Sequence, residues 1–167
     1  MTHRYPPRAA LSFLVLAAAC IHPAGSPAYQ SALERGYTVT YDTARSVTAV
    51  EGVGQQVSRR LLLTASFRVT GDSLQRPDTV YLEFGAEAGD WGFLHSRDVL
   101  LLLDDSVRLA LGPARPMGSR LAVALPLDTF RTIAESRSVA GRLGEAGFVL
   151  TPDHFRVLRA VLMRALG

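Results

Sequence analysis

The 167-residue chain contains no lysine, and all eighteen of its basic residues are arginines. It has one cysteine, Cys20, and one tryptophan, Trp91. A lone cysteine excludes an internal disulfide framework. The Gly-rich "GEAG" at residues 144–147 lacks the Lys-Ser/Thr of a phosphate-binding loop. No H-E-x-x-H motif, paired histidines or cysteine ligand set occurs, so the sequence predicts neither a metal site nor a cofactor.

The chain also has little net charge once residues 1–19 are set aside. The whole chain carries a formal charge of +3, but Arg4 and Arg8 precede the first apolar stretch. Residues 20–167 hold sixteen arginines against fifteen acids, a net charge of +1. Nucleic-acid binding needs a clustered basic patch. The composition therefore predicts a folded body with no nucleic-acid partner.

The N-terminus has the pattern of an export signal. Residues 1–8 are polar and basic, and residues 9–19 are apolar apart from Ser12. A basic segment, an apolar segment and the small residues 17–19 are the three parts of a secretory signal. The apolar run is shorter than the ~20 residues that span a bilayer. We therefore predict a signal peptide over residues 1–19.

The apolar run "ALSFLVLAAAC" ends in the only cysteine, and this arrangement resembles the lipobox of bacterial lipoproteins. The resemblance implies that Cys20 is lipidated and becomes the mature N-terminus. It departs from the common pattern at Ala17, where leucine is usual, with Leu16 one place further back. Ile21, in place of an aspartate, favours the outer membrane. The alternative is an ordinary secretory signal cut after Ala19, which would leave Cys20 as a free thiol.

The rest of the chain is predicted to be a short tether and one domain. Residues 20–27 would form the lipidated cysteine and a flexible tether containing "HPAGSP". Residues 28–167 show no internal repeat and no second boundary. We expect them to form a single β-rich globular domain, starting with a short helix over residues 28–36.

Period-two alternation is clearest in residues 61–70 and 79–86. Such alternation predicts half-buried strands, and the turn-rich residues between them predict an antiparallel hairpin. Leu63, Phe67, Leu82 and Phe84 should share one core. A further strand is expected within residues 43–53.

A second hairpin is expected around Asp104 and Asp105, which would form its turn. Residues 99–103 are nearly all apolar, so we expect a central strand covered on both faces. Residues 107–111 would return with Arg108 facing outward. The segment 112–119 is predicted to be a loop, followed by a strand at 120–125 and two short strands at 139–143 and 147–150.

Two segments have helical spacing. Asp128 is the predicted N-cap of a short helix near residues 128–136. Thr151 and Pro152 predict the start of a C-terminal amphipathic helix. Its apolar stripe is Phe155, Leu158, Val161, Leu162, Ala165 and Leu166. The predicted fold class is mainly β or α+β, an antiparallel β-sandwich-like domain with these two helices.

Catalytic candidates are weak. His95 and Ser96 lie near Asp90 and Asp98, but no G-x-S-x-G elbow is present. His154, in the first turn of the last helix, is expected to be an ordinary surface residue. Trp91 would either cap the core edge or sit in a binding loop. We therefore predict no catalytic residue and a possible binding loop of Asp90, Trp91 and His95.

These observations predict a lipid-anchored, non-enzymatic binding or scaffolding protein of the bacterial envelope. Its partners would be the membrane, through the N-terminal lipid, and an envelope protein. The alternatives are a soluble secreted or periplasmic protein that binds a small ligand, and a hydrolase built from His95 with Asp90 or Asp98.

Overall fold

The computed structural model describes residues 31–32, 34–73 and 75–167. The predicted signal peptide, Cys20 and the tether lie outside the described residues. In the described part, residues 31–32 and 34–35 are helical, and the rest forms two antiparallel sheets, two α-helices and a short 3₁₀ helix at Glu87–Gly89. The strands are β1 (Tyr37–Asp42), β2 (Val47–Gly52), β3 (Gln55–Ser58), β4 (Leu61–Thr70), β5 (Thr79–Ala86), β6 (Asp98–Leu103), β7 (Val107–Pro113), β8 (Arg115–Met117), β9 (Arg120–Pro126), β10 (Val139–Leu143) and β11 (Ala146–Val149). The helices are α1 (Leu127–Glu135) and α2 (Pro152–Leu166).

The larger sheet is organised around β4. Its strand order is β1-β2-β4-β5-β9-β8, and β3 also pairs with β4. One edge of β4 pairs with β2 at Ser66–Thr70 and with β3 at Leu61–Leu63, while the other edge pairs with β5. The predicted β4–β5 hairpin is therefore confirmed, and it forms the centre of the sheet.

The smaller sheet has the order β11-β10-β6-β7. Its β6 and β7 lie in the chain between β5 and β9, which are neighbours in the larger sheet. The β6–β7 hairpin turns at Asp104 and Asp105, as predicted, and both residues have positive φ. Strands of the smaller sheet therefore lie in the chain between strands of the larger sheet.

The inner faces of both sheets share one hydrophobic core. Leu63, Phe67, Leu82 and Phe84 are buried together, which confirms the predicted face of the β4–β5 hairpin. Across the core the rings of Phe84 and Phe148 lie 5.8 Å apart between centroids, which joins the larger sheet to β11. The predicted fold class, mainly antiparallel β and sandwich-like with a short and a C-terminal helix, is confirmed.

Helix α2 packs on the inner face of the larger sheet at Gly52. A Cβ at this glycine would lie 3.0 Å from Val157 Cγ1 and 3.1 Å from Val161 Cγ2. A larger residue would therefore push the helix away from the sheet. Most of the predicted stripe is buried, but Leu166 is 39% exposed and the unpredicted Val157 is buried.

Four details of the sequence prediction are wrong. Helix α1 begins at Leu127, so Asp128 lies in its first turn and Pro126 is the N-cap. Strands β3 and β8 were not expected, because each is very short and bounded by glycine or proline. Residues 99–103 are central in their sheet but covered on one face only, as described below.

The fourth error concerns His154, which is buried rather than on the surface. Its Nδ1 accepts the backbone N–H of Thr151 at 2.8 Å. Its Nε2 lies 3.1 Å from the carbonyl oxygen of Gln56, which can only accept, so Nε2 carries the proton. The ring thus fixes the start of α2 to β3, a role that periodicity does not show.

Candidate functional site

The predicted binding loop lies between β5 and β6. Trp91 is half-buried, packs against the core and stacks on Phe93, with ring centroids 6.3 Å apart. The guanidinium of Arg60 lies 5.4 Å from the centre of the Phe93 ring. Asp90 is exposed and its Oδ1 accepts the N–H of Gly92 at 2.8 Å. Asp90 therefore shapes the loop, and Trp91 anchors it to the core.

His95 is exposed, and its contacts run through the backbone. Its N–H donates to Oε2 of Glu145 at 3.1 Å. This bond is the main cause of a lowered pKa of the Glu145 carboxyl, and a hydrogen bond from the backbone N–H of Glu145 lowers it further. Ser96 Oγ donates to Asp98 Oδ2 at 2.7 Å. Within the described residues no hydrogen bond joins the His95 ring to Asp90, Ser96 or Asp98.

The loop is held against the β10–β11 turn by close backbone packing. Gly144 has φ of +55°, and a Cβ there would lie 2.3 Å from the carbonyl oxygen of Ser96. Its N–H donates to the carbonyl oxygen of Asp98 at 2.9 Å. So close an approach, at a positive φ, leaves no room for a Cβ and requires glycine at this position. The loop that contains His95 is therefore positioned by the smaller sheet.

The outer face of the larger sheet carries a paired charge cluster of Glu51, Ser66, Glu83 and Arg120. Arg120 Nη1 lies 2.5 Å from Glu51 Oε1 and 2.9 Å from Glu83 Oε2. The second oxygen of Glu83 accepts a hydrogen bond from Ser66. Burial alone lowers the pKa of Arg120, but its hydrogen bonds to the two glutamates outweigh burial and raise it. The cluster lines a cleft of about 370 Å³ beside the β8–β9 turn.

The outer face of the smaller sheet is apolar and open. Leu100 and Leu102 point away from the core and are half-buried, while the inward Val99, Leu101 and Leu103 are buried. The expected cover on both faces of β6 is therefore wrong. The outward leucines form the floor of a groove of about 370 Å³ that Ala140 and the two arginines Arg108 and Arg142 also line.

Cross-strand register places the outward residues of the smaller sheet, including those that line the groove, in two rows. One row runs Arg108, Leu102, Ala140, Val149 across β7, β6, β10 and β11. The other runs Ala110, Leu100, Arg142, Gly147. Val149 is 62% exposed, so the apolar row continues to the edge of the sheet.

Arg108 and Arg142 are exposed cations that form no ion pair with any residue the structure describes. Six ion pairs join described residues, and neither arginine takes part in one. Arg108 was predicted to face outward, but Leu100, Leu102 and Arg142 were not predicted as site residues. Alternate residues of a strand point to opposite faces, so the outer positions of β6, β7 and β10 follow once the strands and their register are known, but the apolar run of β6 carries no signal of its own.

Comparison with known proteins adds no function. No family model, curated protein or solved structure gave a significant match to this chain. In the part of the chain that the structure describes, no helix is long and apolar enough to cross a bilayer. No group of three or more His, Cys, Asp or Glu side chains among the described residues is placed to hold a metal ion.

Proposed function

We propose that this protein is a lipid-anchored, non-enzymatic binding domain of the bacterial cell envelope. Lipidated Cys20 would hold it at the membrane, the outer membrane being favoured by Ile21. The tether over residues 20–27 would keep the domain at a short distance from the bilayer.

The observation that carries the binding role is the open outer face of the smaller sheet. Half-buried Leu100 and Leu102 lie between two arginines that have no acidic partner among the described residues. Contiguous apolar surface rimmed by polar residues is a feature of ligand-binding grooves and interaction sites. The groove volume of about 370 Å³ lies within the range of small-ligand sites.

The geometry around His95 supports a role without catalysis. A Ser-His-Asp hydrolase needs the imidazole within hydrogen-bond reach of both serine and carboxylate. Here Ser96 donates to Asp98 directly, so its hydroxyl proton is already held by a carboxylate. The His95 backbone, rather than its ring, makes the contact with Glu145.

Anchoring is tested by fractionation of cells that express the full chain or its Cys20→Ser variant. We expect the wild-type chain in the membrane fraction and the variant in the soluble envelope fraction. An Ile21→Val variant is the matched control and should stay with the membrane. If Cys20→Ser remains membrane-bound, lipid anchoring at Cys20 is wrong.

Binding through the groove is tested by site-specific photocrosslinking in the anchored chain. A benzophenone maleimide is attached at Ala140→Cys, in the groove, or at Gln75→Cys, in the exposed loop before β5. We expect adducts with an envelope component from position 140 only, and their loss when Leu102→Ser is added. Equal adduct yields from the two positions would show that the face has no binding role.

A further inference from the structure

The groove on the smaller sheet has an apolar row with a cation at one end. Leu102, Ala140 and Val149 are cross-strand neighbours, and Arg108 is the next residue in the same row. Four strands set about 4.8 Å apart give the row a length of roughly 14 Å. Arg142 lies in the adjacent row, beside Leu100.

Charge narrows the identity of the occupant. A second copy of this chain packed face to face would present the same residues, and none of those that line the groove is acidic, so the arginines would stay unpaired. The tether, residues 20–27, contains no acidic residue that could pair with them. The face therefore fits a ligand that supplies both an apolar segment and negative charge.

The size of the groove narrows the identity of the occupant further. The groove, of about 370 Å³, has the volume of a small-ligand site. A single acyl chain matches a narrow apolar row, and an anionic head matches the arginine at its end. A bilayer would instead need apolar residues that project beyond the arginines, whereas these leucines form the floor between them.

We propose that the groove binds a single-chain anionic amphiphile, with the head against Arg108 and the acyl chain along Leu102 and Ala140 towards Val149 at the edge of the sheet. This inference rests on the proposed function, because it names the ligand class for the same face. Arg142 lies beside the row and adds electrostatic attraction, but it does not contact the anionic head directly. The two arginines should consequently contribute unequally.

The test is calorimetric titration of the full chain carrying Cys20→Ser with decyl phosphate, below its critical micelle concentration. We expect saturable binding at one site. Decyl maltoside, with a neutral head, and inorganic phosphate, with no chain, should each bind at least about ten-fold more weakly, since each lacks one half of the interaction.

Variants locate the site. Arg108→Gln should weaken decyl phosphate binding about ten-fold, and Arg142→Gln about three-fold, because charge-assisted contacts are the stronger ones. Leu102→Ser should weaken it at least as much as Arg108→Gln. Arg115→Gln, which removes an exposed charge from the larger sheet, is the matched control and should change affinity less than about two-fold. Melting curves check that each variant is folded.

Several results would overturn the inference. They are the absence of saturable binding, equal affinity for decyl maltoside or inorganic phosphate, and an Arg115→Gln effect equal to that of Arg108→Gln. Binding to anionic vesicles but not to decyl phosphate would make the face a membrane contact instead. If decyl phosphate fails while crosslinks at position 140 persist, only the ligand class is wrong and the binding face stands.

Discussion

The outer faces of the two sheets differ in whether their charged side chains have partners. On the larger sheet, Glu83 is almost fully buried, and each of its carboxylate oxygens has a partner, Ser66 or Arg120. On the smaller sheet, Leu100 and Leu102 remain half-buried beside Arg108 and Arg142, which make no ion pair within the described residues.

This difference separates structural charge from charge that is available for a ligand. A buried carboxylate is tolerated only when its lone pairs are satisfied, and the Arg120 cluster achieves this. Exposed arginines beside an apolar floor contribute little to folding. We therefore assign the larger sheet's cluster to stability and the smaller sheet's groove to binding, and the following changes test that division.

Removal of α2 by ending the chain after Leu150 should have the largest effect. Phe155, Leu158 and Leu162 are buried against the core, so their loss exposes apolar surface on the larger sheet. We expect the cooperative melting transition to disappear and the protein to aggregate, measured by calorimetry and light scattering.

The rival interpretation treats α2 as a detachable membrane-binding helix with its arginines towards headgroups. It predicts an unshifted melt and lost affinity for anionic vesicles. The structure gives Arg159 another role, because its Nε donates to the carbonyl oxygen of Ala134 at 2.9 Å and so links α2 to α1. A normal melt of the truncated chain would support the rival interpretation.

Phe67→Ala should have the next largest effect. Phe67 lies at the centre of β4 and is fully buried on the inner face of the larger sheet. Loss of a buried aromatic side chain costs about 3–5 kcal/mol of unfolding free energy. Urea denaturation measures this, and a loss below about 1 kcal/mol would contradict the face assignment.

Glu83→Ala should destabilise the larger sheet by about 2–3 kcal/mol, because it leaves Ser66 and Arg120 without a buried acceptor. We set this below the value for a fully buried pair because the Arg120 side chain is 39% exposed. Glu51→Ala, at the half-exposed end of the same cluster, should cost about 0.5–1 kcal/mol. Equal losses for the two variants in urea denaturation would show that the cluster has no buried centre.

Substitution of two neighbouring leucines on β6 allows the two faces of the smaller sheet to be compared directly. Leu101 points into the core and is 4% exposed, whereas Leu102 points into the groove. Leu101→Ala should cost about 2–5 kcal/mol and Leu102→Ala less than about 1 kcal/mol. A large loss from Leu102→Ala would mean that the outer face is structural, and the assignment of the groove to binding would fail.

The smallest effect is expected at the β6–β7 turn. The N–H groups of Ser138 and Arg137 donate to Asp104 Oδ1, and these two bonds lower the pKa of its carboxyl. A lowered pKa in the folded state means that the contribution of Asp104 is present above an unfolded pKa of about 3.9 and is lost as the pH falls through the folded value. The difference in melting temperature between wild type and Asp104→Asn should therefore be present at pH 7 and shrink below pH ~4. A difference that is constant across this range would contradict the assignment.

The sequence was sufficient for the parts of the fold that depend on local periodicity. Alternation predicted both β4 and β5 and the shared core of Phe67 and Phe84, and helical spacing predicted α1 and α2. It was insufficient where the surroundings of a residue are formed by residues far away in the sequence. The buried surroundings of His154 include the Gln56 carbonyl, which lies 98 residues away in sequence.

The same limit applies to the candidate sites. Arg120 meets Glu83 and Glu51 across separations of 37 and 69 residues, so no spacing rule brings them together. The run at residues 99–103 predicted a strand, but a continuous apolar run cannot show which of its faces is open. Register between β6 and β10, available only from the fold, places Arg142 beside Leu100.

The interleaved chain order has a consequence for how the protein folds. Strands β1 to β5 form a continuous stretch of the chain and pair among themselves, but β5 must also wait for β9, and β6 must wait for β10. Pairing across such long separations is slow, since loop closure precedes the contacts that reward it. The groove should therefore be among the last features to form, because it is complete only when β10 has paired with β6. Pulsed hydrogen exchange during refolding should protect the amides of β4 before those of β6, and simultaneous protection would show that the two sheets assemble in one step.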